Sequence, residues 1–320
     1  MSENYQVLAL KWRPKQFKDV VGQDHITTTL QKAFEKNRIA QAFLFAGPRG
    51  VGKTTTARLV AMSLNGAENP TTDYDLQSES VTDIIDGKSM DVIEIDGASN
   101  RGIDEIRELR ENIKFMPVSG KFKVIIIDEV HMLTVQAFNA LLKTLEEPPQ
   151  HVKFILATTD VHKVPQTIIS RCQRFDFLPL SNSTICDRLK FIAKSENQSI
   201  DEKSLSLIAG KSEGSMRDAL SYLDQVLVLG DDIASDTVQE LLGVVPHEIL
   251  FSISDALHDK DGDKLMANLE IIRNKGYIVE DLLKDLILHF RNLSVMDFKN
   301  GLKLIGLDSE LSKKYSQSSY

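Results

Sequence analysis

Cysteine is nearly absent: Cys172 and Cys186 are the only two in 320 residues. Two thiols cannot build a disulfide framework or a four-cysteine zinc site, and their scarcity fits a reducing cytosol. Long apolar runs are missing too. No segment approaches the roughly 18 residues that a membrane-spanning helix needs, and the opening MSENYQVLALKWRP lacks the apolar core of a signal peptide. A basic excess is also lacking. The formal net charge is −8, which argues against indiscriminate coating of nucleic acid while leaving room for a local basic face. No internal repeat is evident. These absences leave a soluble, cytoplasmic globular protein as the expectation.

What is present is ordinary in bulk and organised in detail. The chain is 42% hydrophobic and 26% charged, values of a soluble globular protein long enough for two or three domains. Apolar runs at 42–46, 91–95, 123–127, 153–158 and 174–177 read as strands. Helical periodicity lies between them at 26–36, 54–64, 103–115 and 136–147, the last stopped by Pro148-Pro149. Alternation of this kind predicts an α/β fold built on a parallel sheet. Past FLPLSNST the strands cease. Ile185, Leu189 and Ile192, then Met216, Leu220, Leu223 and Leu227, keep helical spacing, as does Val279–Met296. The expected division is 1–180, 181–243 and 244–320. The tail SKKYSQSSY is polar and lacks a closing element, so the last domain reads as possibly incomplete.

GPRGVGKT, Gly47–Thr54, follows one strand and opens one helix. Glycines there let backbone amides close around phosphate, with the helix dipole behind them. Gly47, Pro48, Gly50, Val51, Gly52 and Thr55 are read as nucleotide-binding. Lys53 is expected on the β- and γ-phosphates of ATP, and Thr54 on Mg²⁺. VIIIDEVH ends an apolar strand in two acids: Asp128 is expected in the Mg²⁺ shell and Glu129 as the base that polarises the attacking water. An acidic pair after a strand is by itself commonly a solvated loop start; the phosphate loop upstream decides for the functional reading. His131 is read as structural. ILATTD ends a further strand in polar residues, where Thr159, with Thr158 second, could orient the water or touch the γ-phosphate. Arg171 in SRC and Arg217 in GSMRDAL are either surface charges or donors to phosphate.

Taken in order, GPRGVGKT, IIIDEVHMLT, FNALLKTLEEPP, FILATTD, IISRCQRFDF and GSMRDAL resemble the AAA+ clamp-loader ATPases, and among them the gamma/tau family of bacterial DNA polymerase III. YQVLALKWRPKQFKDVVGQ and GYIVEDLLKDLILHFRNL extend the resemblance from residue 5 to about 298. It implies an AAA+ P-loop domain with a five-stranded parallel sheet, another strand standing between the phosphate loop and the acidic strand. A helical lid at 181–243 and a helical collar at 244–320 would follow. It implies Arg171 as a finger reaching ATP on a neighbouring subunit, Arg217 as a sensor acting in cis, and Arg13, Val20 and Val21 around adenine and ribose. The implied partners are delta- and delta-prime-like subunits in a hetero-pentameric ring, the sliding clamp and primer–template DNA, in a cytoplasmic, nucleoid-associated bacterial replisome. No membrane partner is implied and no polymerase site is visible. SNRGIDEIRELR could bring Arg101 to a DNA phosphate at a helix N-terminus; alternatively it is a solvated amphipathic helix. Two functional readings stand against an ATP-hydrolysing motor: a non-catalytic stator, and a branch-migration or recombination motor.

The chain departs from the family's pattern at Gly66 to Met90. Relatives commonly carry a four-cysteine zinc module there, and this interval has no cysteine. Within it NGAENPTTDYDLQSES, Asn65–Ser80, has almost nothing to bury. Asp73, Asp75, Gln77 and Glu79 alternate like calcium ligands, but Ser78 stands where an EF-hand loop needs glycine and Ile84 where it needs glutamate. The expectation is a mobile, zinc-free surface excursion.

Overall fold

Five of the apolar runs form one sheet. Strands β1 (Ala42–Ala46), β2 (Val92–Asp96), β3 (Lys123–Asp128), β4 (Val152–Thr158) and β5 (Gln173–Asp176) stand in the order β2-β3-β4-β1-β5, with every neighbouring pair parallel. β4 therefore lies between the strand that feeds the phosphate loop and the strand that ends in Asp128. β1, β3 and β4 are apolar on both faces because helices cover both, so side chains alternate between two cores rather than between core and water. Phe43, Phe45, Val124, Ile126, Ile155 and Ala157 share one core. Leu44, Ile125, Ile127, Phe154 and Leu156 share the other. The computed structural model describes residues 6–230, 235–296, 298 and 309–317.

The helices of the first part are α1 (Leu8–Lys11), α2 (Asp24–Glu35), α3 (Lys53–Asn65), α4 (Glu79–Asp86), α5 (Ile103–Asn112), α6 (Val135–Glu146), α7 (Gln166–Ile169) and α8 (Asn182–Ser195). After them come α9 (Glu202–Lys211), α10 (Met216–Leu227), α11 (Ser235–Leu241), α12 (His247–His258), α13 (Gly262–Asn274), α14 (Val279–Met296) and α15 (Ser309–Gln317). Ile26, Leu30 and Phe34 of α2, Leu59 and Val60 of α3, and Val81 and Ile84 of α4 pack into the first core. Ile106 and Leu109 of α5, Phe138 and Leu141 of α6, and Ile168 of α7 pack into the second.

Three sequence expectations need correction. The helix expected over 103–115 stops at Asn112. Pro117 disfavours helix in the residue before it, and Val118, Ser119 and Gly120 instead turn their amides onto the Asp91 carboxylate at 2.7, 2.8 and 2.6 Å. The stretch Asn65–Ser80 does have something to bury. The Tyr74 ring is buried and its hydroxyl donates to the Lys15 carbonyl at 2.9 Å, while the Asn65 side chain binds the backbone of Lys121 and Phe122. The stretch is thus tied to its surroundings at Asn65 and Tyr74. The tail, read as lacking an element, contributes α15, whose Tyr315 is buried; residues 318–320 lie outside the described residues.

Residue contacts divide the chain into two units, Met1–Gln198 with Ser212–Gln225, and Ser199–Lys211 with Val226–Tyr320. The division falls inside the segment expected as a lid, part of which, 231–234, lies outside the described residues, as do 297 and 299–308 of the expected collar. The second unit is helical among its described residues. Val245, Leu250, Ile253, Ile272 and Leu282 form one cluster; Phe251, Leu293 and Tyr315 form another. In the latter, His289 is buried between the Tyr315 hydroxyl at 2.8 Å and the Ser254 hydroxyl at 3.1 Å, and burial holds its pKa down at about 4. No helix among the described residues is long and apolar enough to cross a membrane.

Strand register sets the site. Ala46 lies beside Thr158, and Asp96 beside Asp128. The polar strand ends therefore meet at the carboxyl edge of the sheet, where ligands bind in parallel α/β folds.

Candidate active site

The loop Gly47–Thr54 joins β1 to α3. Gly50 and Gly52 take φ of 75° and 103°, a region that strains any residue with a Cβ. α3 begins at Lys53, directly after Gly52, so the positive end of its dipole faces the loop. Lys53 is only 6% exposed, and its ammonium donates to the carbonyls of Gly47 at 2.8 Å and Pro48 at 2.6 Å. Three hydrogens are available on that nitrogen, so one remains for a ligand. Burial lowers the Lys53 pKa, and the nearby carboxylates of Glu129 and Asp128 oppose the shift.

Thr54 Oγ1 donates to Asp128 Oδ2 at 2.5 Å. A hydroxyl and a carboxylate are thus fixed side by side, the hard-oxygen donor set that Mg²⁺ accepts when it bridges protein and phosphate. The residues fit such an ion. Glu129 follows at φ 45°, its amide donating to Asp128 Oδ1 at 2.9 Å. Because β3 and β4 are neighbours, the residues after each strand meet. Thr159 donates its amide at 3.2 Å and its hydroxyl at 2.9 Å to Glu129 Oε2. His131 Nδ1 stands 3.3 Å from that same oxygen and 2.9 Å from Thr158 Oγ1. The contacts of Thr159 and His131 with Glu129 all fall on Oε2.

One cavity gathers most of the residues singled out from sequence. Gly50, Val51, Gly52, Lys53, Thr54, Thr55, Asp128, Glu129, Arg13, Val20, Val21 and Arg217 all line it. Gly47 and Pro48 do not, and act on Lys53 through their carbonyls. The 215–217 turn sits directly on the phosphate loop, with the amides of Met216 and Arg217 donating to the Gly50 carbonyl at 3.1 and 3.4 Å. Burial and the neighbouring Arg58 lower the Arg13 pKa, with Glu94 opposing; a guanidinium nonetheless stays charged at neutral pH.

Besides Gly47 and Pro48, three singled-out residues stand outside the cavity: Thr159, Arg171 and Arg101. Thr159 is exposed and contacts Glu129. Arg171 pairs with Glu146 at 2.9 Å and with the Thr167 carbonyl at 2.7 Å. Arg101 is exposed, and its Nε donates to the Ala98 carbonyl at 2.8 Å. Other lining residues escaped the sequence reading, among them Trp12, Arg49, Leu180 and Arg188. Trp12 and Arg49 adjoin motif residues and could have been included on that ground. Leu180 and Arg188 carry no local signal, because only the fold brings them to the cavity. His131, read as structural, contacts the acidic site directly.

Comparison with known proteins adds to this geometry. A family profile described as DNA polymerase III, delta subunit, matches residues 22–181. One for the ATPase lid domain of the DNA polymerase III clamp loader subunit matches residues 184–232. DNA polymerase III subunit gamma of Buchnera aphidicola subsp. Acyrthosiphon pisum is 45% identical over 91% of this chain and 81% of its own length. Subunit tau of Bacillus subtilis is 44% identical over 94% of this chain and 54% of its own. Subunit tau of Escherichia coli is 43% identical over 89% and 44%. The chain spans about half the length of these tau subunits. Among solved structures, the RuvB Holliday junction branch migration motor of Thermotoga maritima is similar with a TM-score of 0.55. The match covers 86% of this chain and 91% of that one at 18% identity, a likeness of fold alone.

Proposed function

The chain belongs to the gamma/tau family of bacterial DNA polymerase III subunits, with an AAA+ fold, and on that premise we propose that it is an ATP-hydrolysing motor subunit of the replicative clamp loader. In this reading it loads the sliding clamp onto primed DNA, in a hetero-pentameric ring with delta- and delta-prime-like subunits in the bacterial cytoplasm. The observation that carries the proposal is the meeting of Thr54, Asp128 and Glu129 at one end of a cavity that also holds Lys53 and Arg217.

The roles follow from the atoms. The amides of Gly50 and Gly52 and the remaining Lys53 hydrogen bind the β- and γ-phosphates, while Arg13, Val20 and Val21 hold the base and sugar. Thr54 and Asp128 would hold Mg²⁺, which, when bound, neutralises charge on the phosphates. Thr159 and His131 occupy Glu129 Oε2, leaving Oε1 to accept a proton from the attacking water. Arg217 donates to phosphate in cis. Arg171 stands outside its own chain's cavity, which supports a role on the nucleotide of an adjacent subunit. Exposed Leu283, Ile287 and Leu288 on α14 offer apolar surface of the kind that subunit contacts cover. The lid profile, matched at 184–232, supports reading 181–243 as a lid; 244–320 would follow as the collar. Arg101, at the start of α5, is a candidate for DNA phosphate, and no zinc is expected at 66–90.

The test is ATP turnover of the protein assembled with its partner subunits, with and without clamp and primed DNA. Glu129→Gln should keep ATP binding and lose turnover by roughly 10²- to 10⁴-fold, the usual worth of a general base. Absence of turnover in the wild-type assembly would make the chain a stator. DNA stimulation indifferent to the clamp would make it a motor on DNA.

A further inference from the structure

The segment that enters the cavity from the N-terminal side is held at one point by a distant carboxylate. Glu196, at the C-cap of α8, accepts from the Lys11 ammonium through Oε2 at 2.7 Å and from the Trp12 indole N–H through Oε1 at 2.7 Å. Each oxygen has its own donor. The Lys11 bond, aided by the indole, holds the Glu196 carboxyl below the usual range, so it is ionised at neutral pH. The same helix grips the indole from two more positions. Phe191 packs edge-on against it at 5.8 Å, and the Arg188 guanidinium lies 6.0 Å from its ring centre. Trp12 and Arg188 both line the cavity, as do Arg13 and Pro14, which follow Trp12 directly. Arg49 to Thr55 of the phosphate loop line another part of it.

We propose that Glu196 is a positioning residue for the base-binding end of the cavity, fixing Trp12 against α8 so that the wall of Trp12, Arg13 and Pro14 is formed before nucleotide arrives. The proposal rests on the nucleotide reading of this cavity. Lys11 is half exposed, so its ion pair contributes little; the indole bond is the one that matters. Without an acceptor the half-buried N–H loses its partner, and the segment samples positions that do not form the wall. Affinity then falls by the fraction of molecules with the wall formed. Loss of one hydrogen bond of ordinary strength makes that about fivefold. None of the Glu196 contacts reaches the phosphate loop, Asp128 or Glu129, so a ligand without a base should not notice the change.

Trp12 is the only tryptophan in the chain, which makes its emission a direct report. The full chain, Glu196→Ala and Glu196→Gln are titrated with MgATP by tryptophan emission and calorimetry, and with magnesium tripolyphosphate by calorimetry. Glu196→Ala should red-shift the emission and weaken ATP about fivefold, with tripolyphosphate changed less than twofold. Glu196→Gln, whose amide oxygen still accepts from the indole, should recover most of the ATP affinity. Trp12→Phe, which has no N–H to place, should weaken ATP similarly and make the further change Glu196→Ala nearly silent. Unchanged ATP affinity in Glu196→Ala overturns the proposal, as does an equal loss for both ligands, which a general loosening of the fold produces. Additive losses in the double variant also overturn it. If the wild-type chain binds tripolyphosphate but gains nothing from the base, the nucleotide reading itself fails, and the proposal with it.

Discussion

A methyl group added at Gly50 strikes the point where the phosphate loop meets the start of α10. The new Cβ would overlap Ser215 Oγ and stand 3.0 Å from Ser215 Cβ and 3.3 Å from Arg217 Cβ. It would also sit at φ 75°, which costs an L residue roughly 1–2 kcal/mol. Two escapes exist, and both cost stability. Ser215 can rotate its hydroxyl away, abandoning the cap it gives the Asp218 amide at 3.2 Å; losing such a cap costs about 1 kcal/mol. Alternatively the 215–217 backbone retreats, and the bonds from Met216 and Arg217 to the Gly50 carbonyl break, at about 1 kcal/mol each. Gly50→Ala should therefore destabilise its unit by about 2–4 kcal/mol. For a unit of roughly two hundred residues that is a fall in Tm of about 5–15 °C. The retreat also carries Arg217 off the phosphate loop, so the Tm gain on adding MgATP should shrink. Gly210→Ala is the control: nothing lies within 4 Å of its added Cβ, and it sits inside α9. That change should be neutral or stabilising by up to about 1 kcal/mol. A Gly50→Ala protein that melts within 1 °C of wild type and keeps the full ATP response would refute the packing of α10 on the loop.

Arg171→Ala should leave ATP binding by the isolated chain intact while abolishing turnover in the assembly; its exposed partner Glu146 makes the cost in stability no more than about 1 kcal/mol. Loss of ATP binding by the isolated variant would sink the trans role. Asp91 offers a pH test. Burial alone would raise its pKa, but the amides of Gly120, Val118 and Ser119 outweigh it and hold the group below the ordinary carboxylate range. A lowered folded pKa means the stabilisation is fully present above the unfolded pKa of about 3.9 and is lost as pH falls through the folded value. Asp91→Asn, which turns an N–H₂ toward those amides, should cost about 3 kcal/mol in urea melts at neutral pH and flatten the acid limb of the stability curve. Equal acid sensitivity in both proteins would remove Asp91 as its source. Metal analysis of the purified protein should find no stoichiometric zinc; one zinc per chain would mean ligands other than a cysteine cluster.

What could be read from the chain follows the range of the interactions. β1, β3 and β4 announce themselves because each is a short apolar run whose neighbours in sequence are turns, and Val279–Met296 keeps helical spacing over its whole length. The glycine-rich loop at 47–54 is a local motif, and so is the acidic pair Asp128 and Glu129. The expectation of a helix over 103–115 runs three residues too far, and the contact that shapes the chain beyond it is not local: Asp91 captures Val118 to Gly120 across 27 to 29 positions. The acidic stretch reads as empty because its one large ring, Tyr74, finds its partner at Lys15, 59 positions upstream.

The two ends of the cavity differ in the same way. At the phosphate end, the parts sit on the carboxyl edge of the sheet: the adjacency of β3 and β4 carries Thr159 to Glu129 from 30 positions away, and His131 lies only two positions on. At the other end the wall is an N-terminal segment laid against α8, with Trp12 and Glu196 separated by 184 positions. No spacing rule connects residues so far apart, and the helix positions 188, 191 and 196 resemble an ordinary solvated face until the indole is seen lying on them. A sheet edge tolerates little displacement, because moving one strand end moves its neighbours. The Trp12 indole, held by one carboxylate and two ring contacts, can be released by a single substitution. Substitutions that tune affinity without abolishing hydrolysis should therefore concentrate at Trp12, Arg188 and Glu196, whereas changes at Thr54, Asp128 or Glu129 should act on turnover itself.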